Sequence, residues 1–334
     1  MAKKKSVEEK VSEAREKAVK QIIELMETKG LYWTREWGNY FGCDGSLPRN
    51  GITNRWYAGC NVMHLIASAM SQGFTDPRWY TFNQAKSIGY LPRKGEHATL
   101  VEYHKLMKGM KDADGKWTKD EDEAVEKFSY WKLVGVFHVF NAEQLADENG
   151  EPMQKEEYEQ FEGEELDGYL CDVADCLIET SRCKVREKKG SIEAYYEPGI
   201  DRITIPHRTQ FNNMESFVGT LTHEMTHSTC VPLNREVSGH FGSDKYAFEE
   251  LVAELGSVFC CMELGICRPA ELENDKNFVN HAAYLDSWLG HFKKNKDYLF
   301  KAAGLAARAA TYLMGRYYGN EETDETEKIK EQAA

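Results

Sequence analysis

No stretch of this 334-residue sequence reaches the roughly 18 uninterrupted apolar residues that span a bilayer, so a transmembrane protein is excluded and no membrane partner is expected. The basic start, Met1 to Lys5, runs into the charged, helix-like stretch Val7 to Met26 instead of an apolar segment, so a secretory signal is not expected either. The nine cysteines include no C-x-x-C pair. Their number is odd and their spacing irregular, with Cys260 and Cys261 adjacent, which argues against a disulfide framework. They read as small core residues of a reduced, cytoplasmic protein. A surplus of positive charge is also missing, since the net charge is −13. No internal repeat is found.

The charge that is present is unevenly placed. Residues 1–145 carry 22 Lys and Arg against 19 Asp and Glu, and the remainder carries 20 against 36. A mildly basic front and an acidic back place any polyanionic partner at the front. With 41% hydrophobic residues the chain can bury two cores of ordinary size. The acidic stretch 146–165, "DENGEPMQKEEYEQFEGEE" at its heart, reads as a linker. The expected division is a front domain over 7–145, the linker, a rear domain over 166–319 and a disordered acidic tail over 320–334.

In the front, residues 7–29 read as a helix ended by Gly30, followed by an aromatic-rich loop with Trp33, Trp37, Tyr40 and Phe41. Val62, Leu65, Ile66 and Ala69 predict a helix over 61–70. Thr81 and Gln84 form a capping box before a short helix that Gly89 is placed to end. Thr99 to Tyr103 and Tyr130 to Phe140 predict strands, with the polar stretch 108–127 as a long hairpin tip. The rear predicts helices near 170–180, 214–230 and 244–265, two more up to Gly319, and a hairpin in "IEAYYEPGIDRITIP". The fold class expected is α+β: a small antiparallel-sheet front domain and a mainly helical rear.

The chemistry concentrates in "LTHEMTHST", Leu221 to Thr229. Phe217, Val218, Leu221 and Met225 lay an apolar stripe along this helix, and Pro232 stops it. His223 and His227, four apart, project from one face toward a common point, as two ligands of Zn²⁺ must. Glu224 is rotated by about 100° from His223. Its carboxylate therefore lies beside the ion, where it can take a proton from an attacking water. The alternative is two ordinary histidines on a helix surface. The next helix bears on that choice, because Glu250 and Glu254 sit four apart beside the aliphatics of "LVAELGS", and carboxylates there are expensive to bury without a partner. Glu250 is assigned as third ligand and Glu254 as the acceptor of a ligand histidine's other N–H, with Glu249 in reserve as ligand. "DRITIP", Asp201 to Pro206, alternates as a half-exposed edge strand should, and a peptide substrate can add to such an edge. Tyr195 and Tyr246 are both placed to offer a hydroxyl to a developing oxyanion. His207 and His240 are left out of the ligand set.

"TLTHEMTHSTC", "FGSDKYAFEELVAELGSVFC" and "AAYLDSWLGHFKKNKDYLFKAAGLAARAATYLM" resemble the zincin-type metallopeptidase domain of ArdC-like antirestriction proteins, which mobile genetic elements carry. "LPRNGITNRWYAGCNVMHLI", "DPRWYTFNQAKSIGYLPRKGEHATLVEYHKL" and "VFHVFNAEQL" resemble that family's N-terminal domain, and the likeness runs from about Gly30 to Met314. The resemblance implies a zinc-dependent peptidase with His223, His227 and an acidic residue of "EELVAE" as ligands and Glu224 as base. It also implies a front domain that binds single-stranded DNA. Arg49, Arg55, Tyr57, Arg78, Trp79, Arg93, Lys94 and Lys105 interleave charge with aromatic rings and are the expected contacts. After the motif, "STCVPLNR" lacks the aromatic residue and histidine of the family pattern, which bears on the shape of the cleft. The reading is an antirestriction-type protein that binds single-stranded DNA and carries a peptidase site, its substrate a protein or peptide associated with DNA. The rivals are a non-catalytic DNA shield with a structural metal and a metal-dependent nuclease.

Overall fold

The computed structural model describes residues 5–30, 47–120, 122–156, 163–235, 243–266 and 276–319, the side chains of 163 and 276–283 excepted. The aromatic loop at Trp33 to Phe41, His240, part of the expected linker and the expected acidic tail lie outside the described residues.

The front opens with helix α1 (Val7–Lys29), which Ser6 and Glu9 start with a reciprocal capping box and Gly30 ends at φ +56°. Helix α2 (Cys60–Gln72) buries the predicted face Val62, Leu65, Ile66 and Ala69. Thr81 and Gln84 cap the short helix α3 (Phe82–Ser87) as their spacing predicts. The strands are β1 (Arg49–Asn50), β2 (Arg78–Thr81), β3 (Leu91–Pro92), β4 (Thr99–Lys111), β5 (Trp117–Thr118), β6 (Glu126–Asn141) and β7 (Leu145–Ala146). Five of them form a sheet in the order β1-β2-β6-β4-β5, antiparallel except for β1 with β2, and β3 pairs with β7.

Strands β4 and β6 are far longer than expected. Part of the polar stretch 108–127 is not a loose tip: Lys108 to Lys111 pairs with Glu126 to Ser129, and Trp117 and Thr118 pair with Lys111 and Met110. Both faces of this ribbon are partly exposed, so polar residues are tolerated on each and the apolar alternation that marks a half-buried strand fades.

The rear contains α4 (Gly163–Glu179), β8 (Lys184–Lys188), β9 (Tyr195–Glu197), β10 (Arg202–Pro206), α5 (Met214–Ser228), α6 (Asp244–Glu263), α7 (Lys276–Lys294) and α8 (Asp297–Tyr317). The strand expected at the sheet edge, β10, is central: it pairs in parallel with β8 and antiparallel with β9. Ile203, Thr204 and Ile205 are all buried, so the Thr204 that suggested an outward face points into packed structure. The edge beside the motif helix is β9.

One apolar core runs through both halves, joining Ile22 and Met26 of α1, Leu65 of α2, Leu221 of α5, Leu255 of α6 and Phe300 of α8. Of the expected linker, residues 146–156 are held in place: Ala146 bridges Pro152, Met153 is buried, and Glu156 pairs with Arg49 and Arg78. Among the described residues no helix is long and apolar enough to cross a membrane.

Candidate metal centre

Two helices build the site. Asn213 caps α5 by accepting the Ser216 N–H, and Ser243 caps α6 by accepting that of Tyr246. Their contact is close because Gly256 of α6 has no Cβ: one placed there would stand 2.5 Å from Cγ2 of Thr226 on α5. A buried ladder of hydroxyls fixes the register. Thr222 and Ser257 bond at 2.8 Å, and Ser257 donates to the Gly219 carbonyl at 2.7 Å. Phe217, Val218, Leu221 and Met225 anchor α5 in the core, which leaves His223, Glu224 and His227 facing α6 and β9.

Nε2 of His223 lies 3.6 Å from Oε2 of Glu250, and Nε2 of His227 lies 3.6 Å from Oε1 of the same carboxylate. One donor atom from each of the three falls within 4.8 Å of the others, the convergence that a single ion requires. The opposite ring nitrogens face outward carboxylates. Nδ1 of His227 is 3.0 Å from Oε1 of Glu249, and Nδ1 of His223 is 3.8 Å from Oε2 of Glu254. This arrangement turns Nε2 of each ring inward and raises its basicity. Glu249, held in reserve as a ligand, thus lies on the far side of His227. Its other oxygen takes an ion pair from Arg235, which also donates to the Thr226 carbonyl at 2.8 Å and the Thr229 hydroxyl at 3.1 Å.

Burial disfavours charge on both imidazoles, yet Glu250 and Glu254 hold the pKa of His223 up to about 10, and Glu249 and Glu250 raise that of His227. Burial pushes the Glu224 carboxyl upward, only partly opposed by the two imidazoles and the backbone N–H of Tyr196 on β9. Tyr246 hydrogen-bonds Glu250 from one turn away, so its hydroxyl is at the site, whereas Tyr195 is exposed on β9. Four buried carboxylates, Glu224, Glu249, Glu250 and Glu254, are thus gathered at the site, and among the described residues the one permanently charged side chain that pairs with any of them is Arg235, on Glu249. A divalent cation among the three converging donors fits that imbalance.

Sequence reasoning missed the role of Glu249 and Arg235. Adjacent residues on a helix point about 100° apart, so Glu249 and Glu250 cannot both face the same ion, and Arg235 is the one charged residue in "STCVPLNR".

A second group with metal-binding spacing, Cys60, Glu102 and His104, lies in the front half. There Arg15 already holds both oxygens of Glu102 at 2.7 Å, His64 takes a further contact at 3.1 Å, and burial pushes the Cys60 thiol up to about 12. A neutral thiol and a carboxylate saturated by a guanidinium make an ion-pair network, and Arg15 extends it to Asp297 on α8.

The expected DNA contacts scatter. Trp79 is fully buried and has no face for a base. Arg49 and Arg78 are buried against Glu156 and Asp76, and Tyr57 packs against the core. Arg93 is exposed but bonds Glu96 and the Glu143 carbonyl. Arg55, Lys94 and Lys105 are exposed.

A helix carrying H-E-x-x-H, a carboxylate from the next helix and a small sheet beside them define the rear half as a zincin-like domain. Residues 172–305 match the family model of a zincin-like metallopeptidase, and residues 12–140 match that of the N-terminal domain of anti-restriction factor ArdC. The crystal structure of the antirestriction ArdC protein from plasmid R388, metal-free, is 27% identical and superposes with a TM-score of 0.62 over 91% of this chain and 98% of that one. The Mn(II)-bound structure of the same protein gives equal identity and TM-score. A DNA primase TraC of Escherichia coli is 30% identical over 307 residues, covering 90% of this chain and 20% of the relative. A second TraC primase is covered to 27%, so the chain spans a fifth to about a quarter of these curated relatives. A Sinorhizobium fredii protein, the uncharacterized y4eC, is 26% identical and covered to 90%. The chain belongs to the ArdC-like antirestriction family, with an ArdC N-terminal domain followed by a zincin-like domain. A divalent metal is implied by both the domain and its metal-bound relative.

Proposed function

We propose that this chain is an antirestriction-type protein that holds single-stranded DNA with its front half and carries a zinc-dependent peptidase site in its rear half. The observation that carries the peptidase reading is the approach of both inward Nε2 atoms to one Glu250 carboxylate, with Glu224 beside them. Three protein donors are the number typical of catalytic zinc, whereas structural zinc takes four. When bound there, Zn²⁺ supplies Lewis-acid chemistry, polarising a carbonyl and acidifying a water.

The chain's own residues do the rest. Glu249 holds the His227 ring by its Nδ1, and Glu254 faces Nδ1 of His223 at 3.8 Å, so that Nε2 of each ring points inward. Glu224, its pKa raised by burial, is the base: it takes a proton from the water that attacks the peptide carbonyl. The Tyr196 backbone N–H orients the Glu224 carboxylate and ties it to β9, the edge along which an extended peptide can pair. Tyr246 supplies a hydroxyl next to Glu250. The likeness to the ArdC protein of plasmid R388 supports a setting on plasmid DNA, and the likeness to DNA primases a DNA partner.

The second reading is a DNA shield whose metal is structural. It draws on the burial of the centre, where the side chains of His223 and Glu250 are only 9% and 8% exposed. Glu224→Gln separates the two. The variant is expected to bind zinc normally and to lose hydrolysis of a casein or peptide-library substrate. Unchanged hydrolysis removes the base assignment, and unchanged protection of transferred DNA by the inactive variant favours the shield.

A further inference from the structure

The β4–β6 ribbon presents one face with a peculiar composition. Across an antiparallel ladder, residues in register share a face, and so do alternate residues along each strand. Lys105 stands directly opposite Lys132, Met107 opposite Tyr130, and Gly109 opposite Phe128. Lys111, next on the same face, stands opposite Trp117 of β5. Toward the base of the ribbon, beyond the bulge at Val134, the face continues with Tyr103 and Phe137, whose rings meet at 5.5 Å.

Two features of this face ask for a ligand. The first is the Lys105–Lys132 pair. Like charges directly opposite each other destabilise a sheet. Both ammonium groups are exposed, and neither forms an ion pair with any described carboxylate. The second is aromatic. Trp117 stands edge-on to Phe128 and Tyr130, with centroids 5.0 Å away in each case, and the rings of Trp117 and Phe128 are held above Gly109, where a Cβ would meet them at 2.7 and 2.8 Å. That packing fixes the indole while leaving it 60% exposed, and Phe137 is 48% exposed at the other end. A rigid ring with a free face flanks the lysine pair on each side, and the distance along β4 from Lys105 to Lys111 is about 20 Å at ~3.4 Å per residue.

Resting on the proposed binding of single-stranded DNA by the front half, we propose that the DNA lies on this ribbon face: Lys105 and Lys132 clasp its backbone phosphates, while bases stack on Trp117 and Phe137. Exposed ring faces favour a single strand, because the bases of a duplex are already stacked on one another. Phosphate between the two lysines removes their mutual repulsion. The described carboxylates near the ribbon tip, Asp112, Asp114, Asp120, Asp122 and Glu123, cluster at the turn end, and Glu126 is paired with Lys111, so the lysine pair is the basic centre of the face.

The test uses the full chain and a fluorescently labelled oligo-dT, read by anisotropy over a salt series, with thermal unfolding of each variant measured alongside. Lys105→Ala with Lys132→Ala is expected to weaken binding at least tenfold. It should also reduce the slope of log affinity against log salt by about 1.4, two phosphates at ~0.7 each. Trp117→Ala is expected to weaken binding with little change in that slope, and Trp117→Phe to restore most of it. The lysine variants remove repulsion, so their unfolding temperature should hold or rise, which separates loss of contact from loss of fold. Wild-type affinity in the lysine and Trp117 variants overturns the ribbon assignment and leaves DNA binding standing elsewhere. Absence of oligo-dT binding by the wild-type chain overturns the DNA reading itself. Equal affinity for duplex DNA, or equal competition by polyglutamate, overturns the single-strand mode.

Discussion

Gly256→Ala tests whether the helix contact sets the metal site. The new Cβ would stand 2.5 Å from Thr226 Cγ2 and 2.7 Å from Oγ1, against an ordinary contact that begins at 3.4 Å, so something must retreat by 0.9 Å. Thr226 cannot swing aside easily. It is fully buried, and its hydroxyl donates to the Thr222 carbonyl at 2.8 Å. The relief must therefore come from separating α5 and α6, at an overpacking cost of about 1–3 kcal/mol. The intrinsic gain of Ala over Gly in a helix, about 0.5–1 kcal/mol, offsets part of this. Net destabilisation of roughly 1–2 kcal/mol is expected in urea unfolding. The larger effect falls on zinc, since His223 and His227 ride on α5 and Glu250 on α6, and tolerances for metal ligands are about 0.2 Å. Zinc affinity by chelator competition should fall at least tenfold. Thr226→Ala in the same chain removes the two closest atoms and leaves a 3.2 Å contact, so it should restore most of both losses. Full zinc affinity in Gly256→Ala, or no rescue by Thr226→Ala, refutes the reasoning.

Arg235→Met removes the brace on Glu249 but leaves the three converging donors intact, so zinc affinity should drop about 10- to 100-fold while Arg235→Lys recovers part of it. Metal affinity measured by competition checks this, and an unchanged value contradicts a positioning role. For pH, Glu102 is the informative group. Burial alone would raise its pKa, but His64 and Arg15 outweigh it and hold it at about 2. A depressed carboxylate pKa stabilises the fold fully above the unfolded value near 4.5, and that contribution is lost as pH falls toward 2. It amounts to about 3 kcal/mol. Glu102→Gln should flatten the fall in urea-unfolding free energy between pH 5 and 3, measured at equal salt, and an unchanged slope counts against the network.

Elements with one wet and one dry face were legible in the sequence. The helix spacing of Val62, Leu65 and Ile66, and the Thr81–Gln84 box, led directly to α2 and α3. The His223–Glu224–His227 pattern was legible for the same reason, since a helix fixes where residues four apart must point. What the sequence hid depends on tertiary contact. Which of Glu249 and Glu250 faces the two inward Nε2 atoms is set by how α6 packs on α5, and Trp79 is closed off from a base because β2 is enclosed in the core. The ribbon was underestimated because neither of its faces is dry enough to leave an alternating pattern. β10 took a central place because β8 and β9, both earlier in the chain, pair with its two edges, a choice that local alternation cannot encode.

The most direct measurement is anomalous diffraction at the zinc edge from crystals of the zinc-loaded chain. The account predicts one strong peak, about 2.0–2.2 Å from Nε2 of His223, Nε2 of His227 and a carboxylate oxygen of Glu250, with Glu224 beside the ion and not bound to it. A peak at Cys60, Glu102 and His104 instead, or an ion held by Glu249 with Glu250 turned away, contradicts it.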